Sequence, residues 1–165
     1  CRLLTVRTGD GKECRKRALN DIVISRAGFS RLIGLDVYVN GSFLNAYEGD
    51  GIIISTPTGS TGYNLSAGGP IVDPMARLMI ITPVCPHSLT SKSIVLPSDA
   101  KVSIEIAKKR KTQDTEAIVS FDGGNDFELA AGDVLDICVS QRTTQLVKAS
   151  DVNFYEILRN KLGGK

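Results

Sequence analysis

Short runs of aliphatic and β-branched residues recur along the whole chain, and turn-forming residues separate nearly all of them. In residues 102–106 the order Val-Ser-Ile-Glu-Ile alternates apolar and polar positions, which is typical of a strand with one buried and one solvated face. Ile52-Ile53-Ile54 is apolar throughout and indicates a strand covered on both faces, although a buried helix segment gives the same short run. The pattern predicts strands over residues 3–7, 21–25, 35–39, 42–47, 52–55, 79–82, 93–96, 102–106, 117–121, 134–139 and 144–148.

Turn and helix patterns complete the predicted architecture. Asn40-Gly41 accepts two positive φ angles and so predicts a type I′ hairpin, and residues 9–11 predict an earlier turn. Helical patterns occur twice, over residues 60–67 and after Ser150, a candidate N-cap. In the second helix the apolar positions Phe154, Leu158 and Leu162 repeat every four residues until Gly163-Gly164. We therefore predict a mainly β fold, a two-sheet β-sandwich with a short helix after the T-G-S-T segment and a C-terminal helix.

The composition fits one globular domain. The 165 residues are 42% hydrophobic and 23% charged, which excludes disordered, coiled-coil and collagen-like chains. The net charge of +2 arises from 20 basic and 18 acidic residues, too even a balance for a nucleic-acid-binding surface, and the basic run 108–111 predicts a solvated loop. No apolar stretch approaches the ~20 residues that span a bilayer, and the N-terminal region has no secretory apolar segment. We expect a cytoplasmic protein without nucleic-acid or membrane partners.

Cysteine and histidine limit the metal and redox chemistry. The four cysteines, at positions 1, 14, 85 and 138, include no pair with C-x-x-C spacing, so we expect buried free thiols and neither a metal site nor disulfides. His87 is the only histidine and is flanked by Pro86 and Ser88 in a predicted loop, where a structural or surface role competes with a catalytic one. Any catalysis by this chain must therefore depend on carboxylates and backbone groups.

The most unusual segment runs from Asp50 to Pro70, where an apolar strand leads into S-T-P-T-G-S-T-G-Y. Small side chains let a ligand approach the backbone, and a helix beginning near Ser60 would present free N–H groups. The segment thus predicts a phosphate or ribose site. The alternative is a Ser/Thr-rich turn that merely caps a helix.

Four blocks of the sequence together resemble those of a known family. They are Asn20-Asp21, Asp50–Pro70, residues 81–89 (I-T-P-V-C-P-H-S-L) and Ser120–Gly123. In this order they resemble the C-terminal domain of bacterial NAD kinases over nearly the whole chain. The resemblance implies transfer of the γ-phosphoryl group of ATP to the 2′-hydroxyl of the adenosine ribose of NAD, giving NADP, with Mg²⁺ or a similar divalent ion neutralising the phosphates. It also implies a homo-oligomer, a dimer or a tetramer.

The resemblance implies roles for individual residues. Asn20 and Thr58 would hydrogen-bond the adenine, and Asp21 would accept from the ribose hydroxyls, since a carboxylate offers only acceptors to a diol. Asp50 would hold the nicotinamide carboxamide. The remaining pocket residues would be Thr61, Gly62, Tyr63 and Ser66, with His87, Asp122 and Gly123 as candidate wall residues. None of these residues is assigned a catalytic or metal-binding role.

Simpler interpretations exist for three of these positions. Asn20-Asp21 also fits a turn that leads into a strand, Tyr63 a core aromatic residue, and Asp122-Gly123-Gly124 a hairpin turn. Gly62 stands where many family members have Ala, which leaves the pocket open but makes its backbone less rigid.

The G-G-D-G-T motif, whose aspartate is the family's general base, is absent from residues 1–165. The nearest sequence, Gly123-Gly124-Asn125-Asp126, does not match it. We therefore expect this chain to be the dinucleotide-binding domain without the N-terminal α/β catalytic domain that completes the enzyme, and to be inactive as a kinase alone. The alternatives are a non-catalytic nucleotide-binding or oligomerisation module and the β-sandwich domain of a related lipid kinase.

Overall fold

The structure, a computed structural model, describes residues 2–8, 16–28, 32–88, 91–108, 117–147 and 152–163, and for residues 2–8, 125 and 126 it describes the backbone alone. The strands are β1 (Arg2–Thr8), β2 (Lys16–Ala18), β3 (Asp21–Arg26), β4 (Ile33–Val39), β5 (Ser42–Gly49), β6 (Gly51–Ser55), β7 (Leu78–Val84), β8 (Ile94–Pro97), β9 (Lys101–Ile106), β10 (Ala117–Phe121), β11 (Gly124–Leu129) and β12 (Val134–Thr143). The helical elements are a 3-10 turn (Thr58–Thr61), α1 (Tyr63–Ser66) and α2 (Phe154–Leu162).

The strands form two six-stranded antiparallel sheets. Their orders are β2-β1-β12-β9-β4-β5 and β11-β10-β3-β6-β7-β8. The inner faces of both sheets contribute to one hydrophobic core, in which Ile24 and Ile54 of the second sheet lie with Val37 and Ile104 of the first. The predicted two-sheet sandwich is confirmed.

Strand β6 is covered on both faces, as its apolar run predicts. Ile52 and Ile54 belong to the core between the sheets. Ile53 points to the opposite face and is also fully buried, because the 3-10 turn and α1 fold back over β6. This arrangement places residues 55–66, which we call the hydroxyl-rich segment, at the outer face of the second sheet.

The hairpin at Asn40-Gly41 is confirmed, with φ angles of 51° and 80°. The predicted strand over residues 144–148 is wrong. Strand β12 instead continues to Thr143, which pairs with Arg2, and residues 144–147 are irregular while residue 148 lies outside the described part. The polar run after residue 139 resembles a turn in the sequence, but the neighbouring strand pairs with it. Strands β2 and β11 were not predicted.

The predicted helix over residues 60–67 is divided. Gly62, at φ −93° and ψ −132°, separates the 3-10 turn from the single turn of α1, so the extended helix N-terminus that the sequence suggested does not form. The N-cap residues Pro57 and Gly62 form no side-chain cap bond, but the Thr56 hydroxyl oxygen accepts from the Gly59 N–H at 3.0 Å in the first turn of the 3-10 element. Helix α2 is confirmed, but its N-cap is Asn153, which forms a capping box with Glu156; Ser150 lies outside the described residues.

Cys85 and Cys138 are free thiols, as expected, but the prediction that they are buried is wrong. Cys85 follows β7 in an exposed loop, and Cys138 is half-buried on β12. Cys1, Cys14, the predicted turn over residues 9–11 and residues 109–111 of the basic run lie outside the described residues. Among the helices in the described ranges, none has the length and apolar character that crossing a membrane requires.

Candidate functional site

Three of the four sequence blocks meet at one end of the second sheet. Strand β3 is antiparallel to both of its neighbours, so its first residue lies beside the last residues of β6 and β10. Asp21 pairs with Ser55, and Ile22 pairs with Phe121. The Asn20-Asp21 block, the hydroxyl-rich segment and the Asp122-Gly123 turn are therefore adjacent in space.

A cleft lies along the outer face of β3. Because side chains alternate along a strand, Asp21, Val23 and Ser25 share the outer face while Ile22 and Ile24 enter the core. The cleft has a volume of about 380 Å³, and its lining includes Val23, Ser25, Arg26, Asp50, Tyr63 and Cys85. Asp21 does not belong to this lining. It lies next to Gly62, the chain neighbour of Tyr63, since a Cβ at position 62 would lie 3.8 Å from Oδ2 of Asp21.

Asp21 is a buried carboxylate that the fold leaves available. The residue is 6% exposed, and its carboxylate has no hydrogen-bond partner among the described residues. In the described ranges, every side-chain oxygen or nitrogen atom that is fully enclosed has a hydrogen-bond partner. Since the Asp21 carboxylate has none, its oxygens must be in contact with solvent. Burial raises the pKa of Asp21, and the negative charge of Asp122 raises it further. A desolvated acceptor that faces an opening is suited to a ligand that donates hydrogen bonds.

Some residues of the hydroxyl-rich segment form hydrogen bonds and close contacts within the protein. The Thr56 hydroxyl donates to the Leu19 carbonyl at 2.7 Å, and the Thr56 N–H donates to the Asn20 carbonyl at 2.9 Å. Gly59 packs against the same residue so closely that a Cβ would lie 2.1 Å from the Asn20 oxygen. These contacts fix the segment against the Asn20-Asp21 block.

Asn64 anchors the segment from the other side. Its amide donates to the carbonyls of Ser60 and Pro70, each at 3.0 Å, and its oxygen accepts from the Thr82 hydroxyl at 2.7 Å. Asn64, Ser60 and Thr82 are all buried. Thr82 belongs to the remaining sequence block, residues 81–89, so this network links that block to the site.

Other residues of the same segment take no part in these internal contacts. Thr58 and Thr61 are half-buried, Gly62 and Ser66 are exposed, and none of the three hydroxyls forms a hydrogen bond with another described residue. Tyr63 is 48% exposed and lines the cleft, so the interpretation as a core aromatic residue is wrong. Internal hydrogen bonding thus leaves Thr58, Thr61 and Ser66 of the residues that the sequence assigned to a ligand free.

An ion pair closes the far end of the cleft. Nε of Arg26 donates to Oδ1 of Asp50 at 2.7 Å, and its Nη1 donates to the Gly28 carbonyl at 2.6 Å. Sequence reasoning identified Asp50 but missed Arg26, because the two residues are 24 positions apart and meet only through the pairing of Ser25 with Gly51. At about 3.3 Å per residue, Asp50 lies roughly 16 Å along β6 from the position that pairs with Asp21.

The candidate wall residues occupy different positions. Asp122 directs its carboxylate to the backbone before β3, and Gly123 is exposed beside it in the turn. His87 is exposed, and the cleft lining does not include it. Its backbone N–H donates to the Glu48 carbonyl at 2.7 Å. Cys85, which sequence reasoning did not assign to a site, lines the cleft with a positive φ of 44°.

Comparison with known proteins gives a consistent result. The family described as "ATP-NAD kinase C-terminal domain" matches residues 19–149. The chain is 52% identical over 148 residues to "NAD kinase" of Lachnoclostridium phytofermentans, covering 90% of this chain and 52% of that protein. It is 49% identical over 162 residues to "NAD kinase" of Agathobacter rectalis, covering 98% of this chain and 57% of that protein. The chain therefore spans about half the length of the curated relatives it matches.

Two solved structures are similar. The "Crystal Structure of Yeast NADH Kinase complexed with NADH" superposes with a TM-score of 0.90 and 28% identity, covering 99% of this chain and 49% of the other. The "Crystal structure of an NAD kinase from Archaeoglobus fulgidus in complex with ATP" superposes with a TM-score of 0.68 and 29% identity, covering 86% of this chain and 52% of the other.

Proposed function

This chain belongs to the ATP-NAD kinase family, and we propose from that membership that it is the dinucleotide-binding domain of an NAD kinase. In the proposed reaction the 2′-oxygen of the adenosine ribose of NAD bonds to the γ-phosphorus of ATP. The bond from that phosphorus to the β,γ-bridging oxygen breaks, which gives NADP and ADP. The hydroxyl proton passes to a base outside this chain's described residues, in the N-terminal domain that the family resemblance implies. This chain binds and orients the dinucleotide.

The observation that carries the proposal is the carboxylate of Asp21, which is buried, has no described protein partner, reaches solvent and lies beside Gly62. A ribose presents two hydroxyl donors side by side, and an ionised carboxylate presents two acceptors. Asp21 thus holds the adenosine ribose. The free hydroxyl of Thr58 and the side chain of Asn20 lie at the same end of the sheet and contact the adenine.

The nicotinamide half of the ligand occupies the far end of the cleft. Arg26 takes Oδ1 of Asp50, which leaves Oδ2 to accept from the carboxamide NH₂. Tyr63 lies between the two ends and offers an aromatic face, with Thr61, Gly62 and Ser66 at its side. The yeast structure described as complexed with NADH supports a dinucleotide on this fold.

ATP is the proposed phosphoryl donor, and the Archaeoglobus fulgidus structure described as in complex with ATP supports it. Divalent ions neutralise phosphate charge in such transfers. In the described part of the chain no group of three or more His, Cys, Asp and Glu side chains could hold a metal ion, so the ion enters this proposal only with the ATP phosphates. The homo-oligomer, the cytoplasmic location, the inactivity of the chain alone and the pocket-wall roles of His87 and Gly123 stay predictions.

The test is a calorimetric titration of this 165-residue chain with NAD. We expect the unaltered chain to bind NAD, and Asp21→Asn to weaken binding by about tenfold or more, since hydrogen bonds to a charged group contribute about 1.5–3 kcal/mol each. Asp36→Asn is the matched control, because it removes a half-buried strand carboxylate from the other sheet. No binding by the unaltered chain, or equal binding by Asp21→Asn, would contradict the proposal.

A further inference from the structure

Asp122 joins its turn to the start of β3 by four hydrogen bonds. Its Oδ2 accepts from the Leu19 N–H at 2.7 Å, and its Oδ1 accepts from the N–H groups of Asn20 at 2.7 Å and Asp21 at 3.2 Å. In return, the Asp122 N–H donates to the Asp21 carbonyl at 3.1 Å. Three consecutive backbone N–H groups thus converge on one carboxylate, the arrangement in which a backbone binds an anion.

The opposite side of the same backbone is held by the hydroxyl-rich segment. The carbonyls of Leu19 and Asn20 accept from Thr56, and the Ser55 hydroxyl, which donates to the Thr56 carbonyl at 2.9 Å, lies 3.4 Å from the Asn20 carbonyl. The backbone of residues 19–21 is therefore fixed through its N–H groups by Asp122 and through its carbonyls by β6 and the residue after it. Neither side uses the side chains of Asn20 and Asp21.

We infer that Asp122 is a positioning residue for the dinucleotide: it fixes the backbone from which Asn20 and Asp21 extend, so that both side chains are oriented before the ligand arrives. This inference rests on the proposed function, since it assigns Asp122 a role in that same site. It replaces the sequence-based prediction of a pocket wall, because the carboxylate faces the backbone of residues 19–21 and acts through it.

The turn alone does not account for a carboxylate at this position. Asp122 and Gly123 have φ angles of 50° and 86°, a conformation that Asn accepts as readily as Asp. Asn40 occupies the matching position of the other hairpin, at φ 51°, and its side-chain oxygen accepts from a single N–H, that of Lys101, at 2.9 Å. Three converging N–H groups need both oxygens of a carboxylate, whereas a carboxamide has only one acceptor oxygen.

The charge of Asp122 also carries a cost for its neighbour. It raises the pKa of Asp21, which burial has already raised, and so disfavours the ionised form that the ribose requires. A neutral residue would avoid this repulsion. An Asn at position 122 would fit the turn and would not raise the pKa of Asp21. The three N–H groups that the Asp122 carboxylate accepts from therefore explain why a carboxylate is present.

The test compares Asp122→Gly with Asn40→Gly in this chain. Glycine tolerates positive φ, so each variant keeps its turn and loses only the side-chain acceptor. We expect Asp122→Gly to raise the calorimetric Kd for NAD by about tenfold or more, and Asn40→Gly to leave it within about twofold of the unaltered chain. Binding of nicotinamide mononucleotide, which lacks the adenosine half, should be equal in all three proteins.

Amide hydrogen exchange gives a second readout. In Asp122→Gly, exchange should accelerate at the amides of residues 19–21, while the core strand β6 stays protected. If Asp122→Gly does not fold, Asp122→Asn is expected to show a smaller loss of NAD affinity, because it keeps one acceptor oxygen. If the unaltered chain binds NAD and the variants bind it equally well, the positioning role is overturned while the proposed function stands. If the unaltered chain does not bind NAD, both fall.

Discussion

Replacement of Gly59 by Ala tests how closely the hydroxyl-rich segment must pack against the Asn20-Asp21 block. A Cβ at position 59 would lie 2.1 Å from the oxygen, 2.5 Å from the carbonyl carbon and 2.7 Å from the Cα of Asn20. All three are backbone atoms, so no side-chain rotation relieves the overlap. To restore an ordinary contact, the two segments must separate by more than about 1 Å.

The separation has a cost that the structure allows us to calculate. Overpacking of this kind costs about 1–3 kcal/mol. The movement also breaks or weakens the hydrogen bond from the Thr56 N–H to the Asn20 carbonyl, now 2.9 Å, which contributes about 1 kcal/mol. We therefore expect Gly59→Ala to destabilise the chain by about 3 kcal/mol, a fall of roughly 6–12 °C in the unfolding midpoint for a domain of this size.

Gly62→Ala is the matched control from the same segment. Its Cβ would lie 3.2 Å from the Gly59 oxygen and 3.8 Å from Oδ2 of Asp21, which a small shift accommodates, and its φ of −93° is open to alanine. Because a Gly-to-Ala change also reduces the entropy of the unfolded chain, we expect a midpoint within about 3 °C of the unaltered protein. Thermal unfolding followed by circular dichroism measures both. Equal midpoints for the two variants would refute the argument.

Three further predictions concern the acidic and amide groups of the site. The pKa of Asp21 is raised in the folded chain, first by burial and then by Asp122, so its ionised form destabilises the fold above the folded pKa and this penalty vanishes below the unfolded pKa. Asp21→Asn should therefore raise the unfolding midpoint at pH 7, with a gain that shrinks in acid; a lower midpoint at pH 7 would contradict this. Arg26→Met removes a partly exposed ion pair with Asp50, so unfolding should shift by less than about 4 °C while NAD affinity falls in titration; a large loss of stability would assign the pair a structural role. Asn64→Ala removes three hydrogen bonds of a buried side chain, those to the Ser60 and Pro70 carbonyls and that from the Thr82 hydroxyl, which keeps Ser93 as a partner. It should cost about 2–4 kcal/mol in denaturant unfolding, and a cost below about 1 kcal/mol would show that the network is dispensable.

Local patterns predicted the parts of the fold that local forces determine. The alternation in residues 102–106 and the Asn40-Gly41 turn each depend on a few consecutive residues, and both are confirmed. Strand β11 begins with Gly-Asn-Asp, residues that favour turns, and becomes a strand because β10 pairs with it. The extension of β12 to Thr143 likewise depends on its pairing with β1. Such pairing is a tertiary effect that a single segment does not reveal.

The sequence predicted which blocks form the candidate site, but it did not predict which of their side chains bond within the protein and which stay free. The sequence presents the hydroxyls of the S-T-P-T-G-S-T segment as equivalent, whereas in the structure Thr56 bonds internally and Thr58 points outward. That division depends on the break at Gly62 and on the register of β6 with β3. The contacts of Asp122 with Leu19 span 103 positions, and no periodicity in the sequence signals them.

The backbone ladder of β3 and β6, which pairs Asp21 with Ser55 and Ser25 with Gly51, sets the distance between Asp21 and Asp50. Loops elsewhere can lengthen or shorten without altering that spacing, because hydrogen bonds between strands determine it. Under the proposed function the two positions are therefore separable: we expect a substitution near Asp50 to change which chemical group is accepted there while the geometry around Asp21 is kept. A shift of one residue in the ladder would instead move Asp21 to the core face and abolish both ends together. In the proposed site the groups at the two positions can thus change independently, whereas the distance between them is set by the strand pairing.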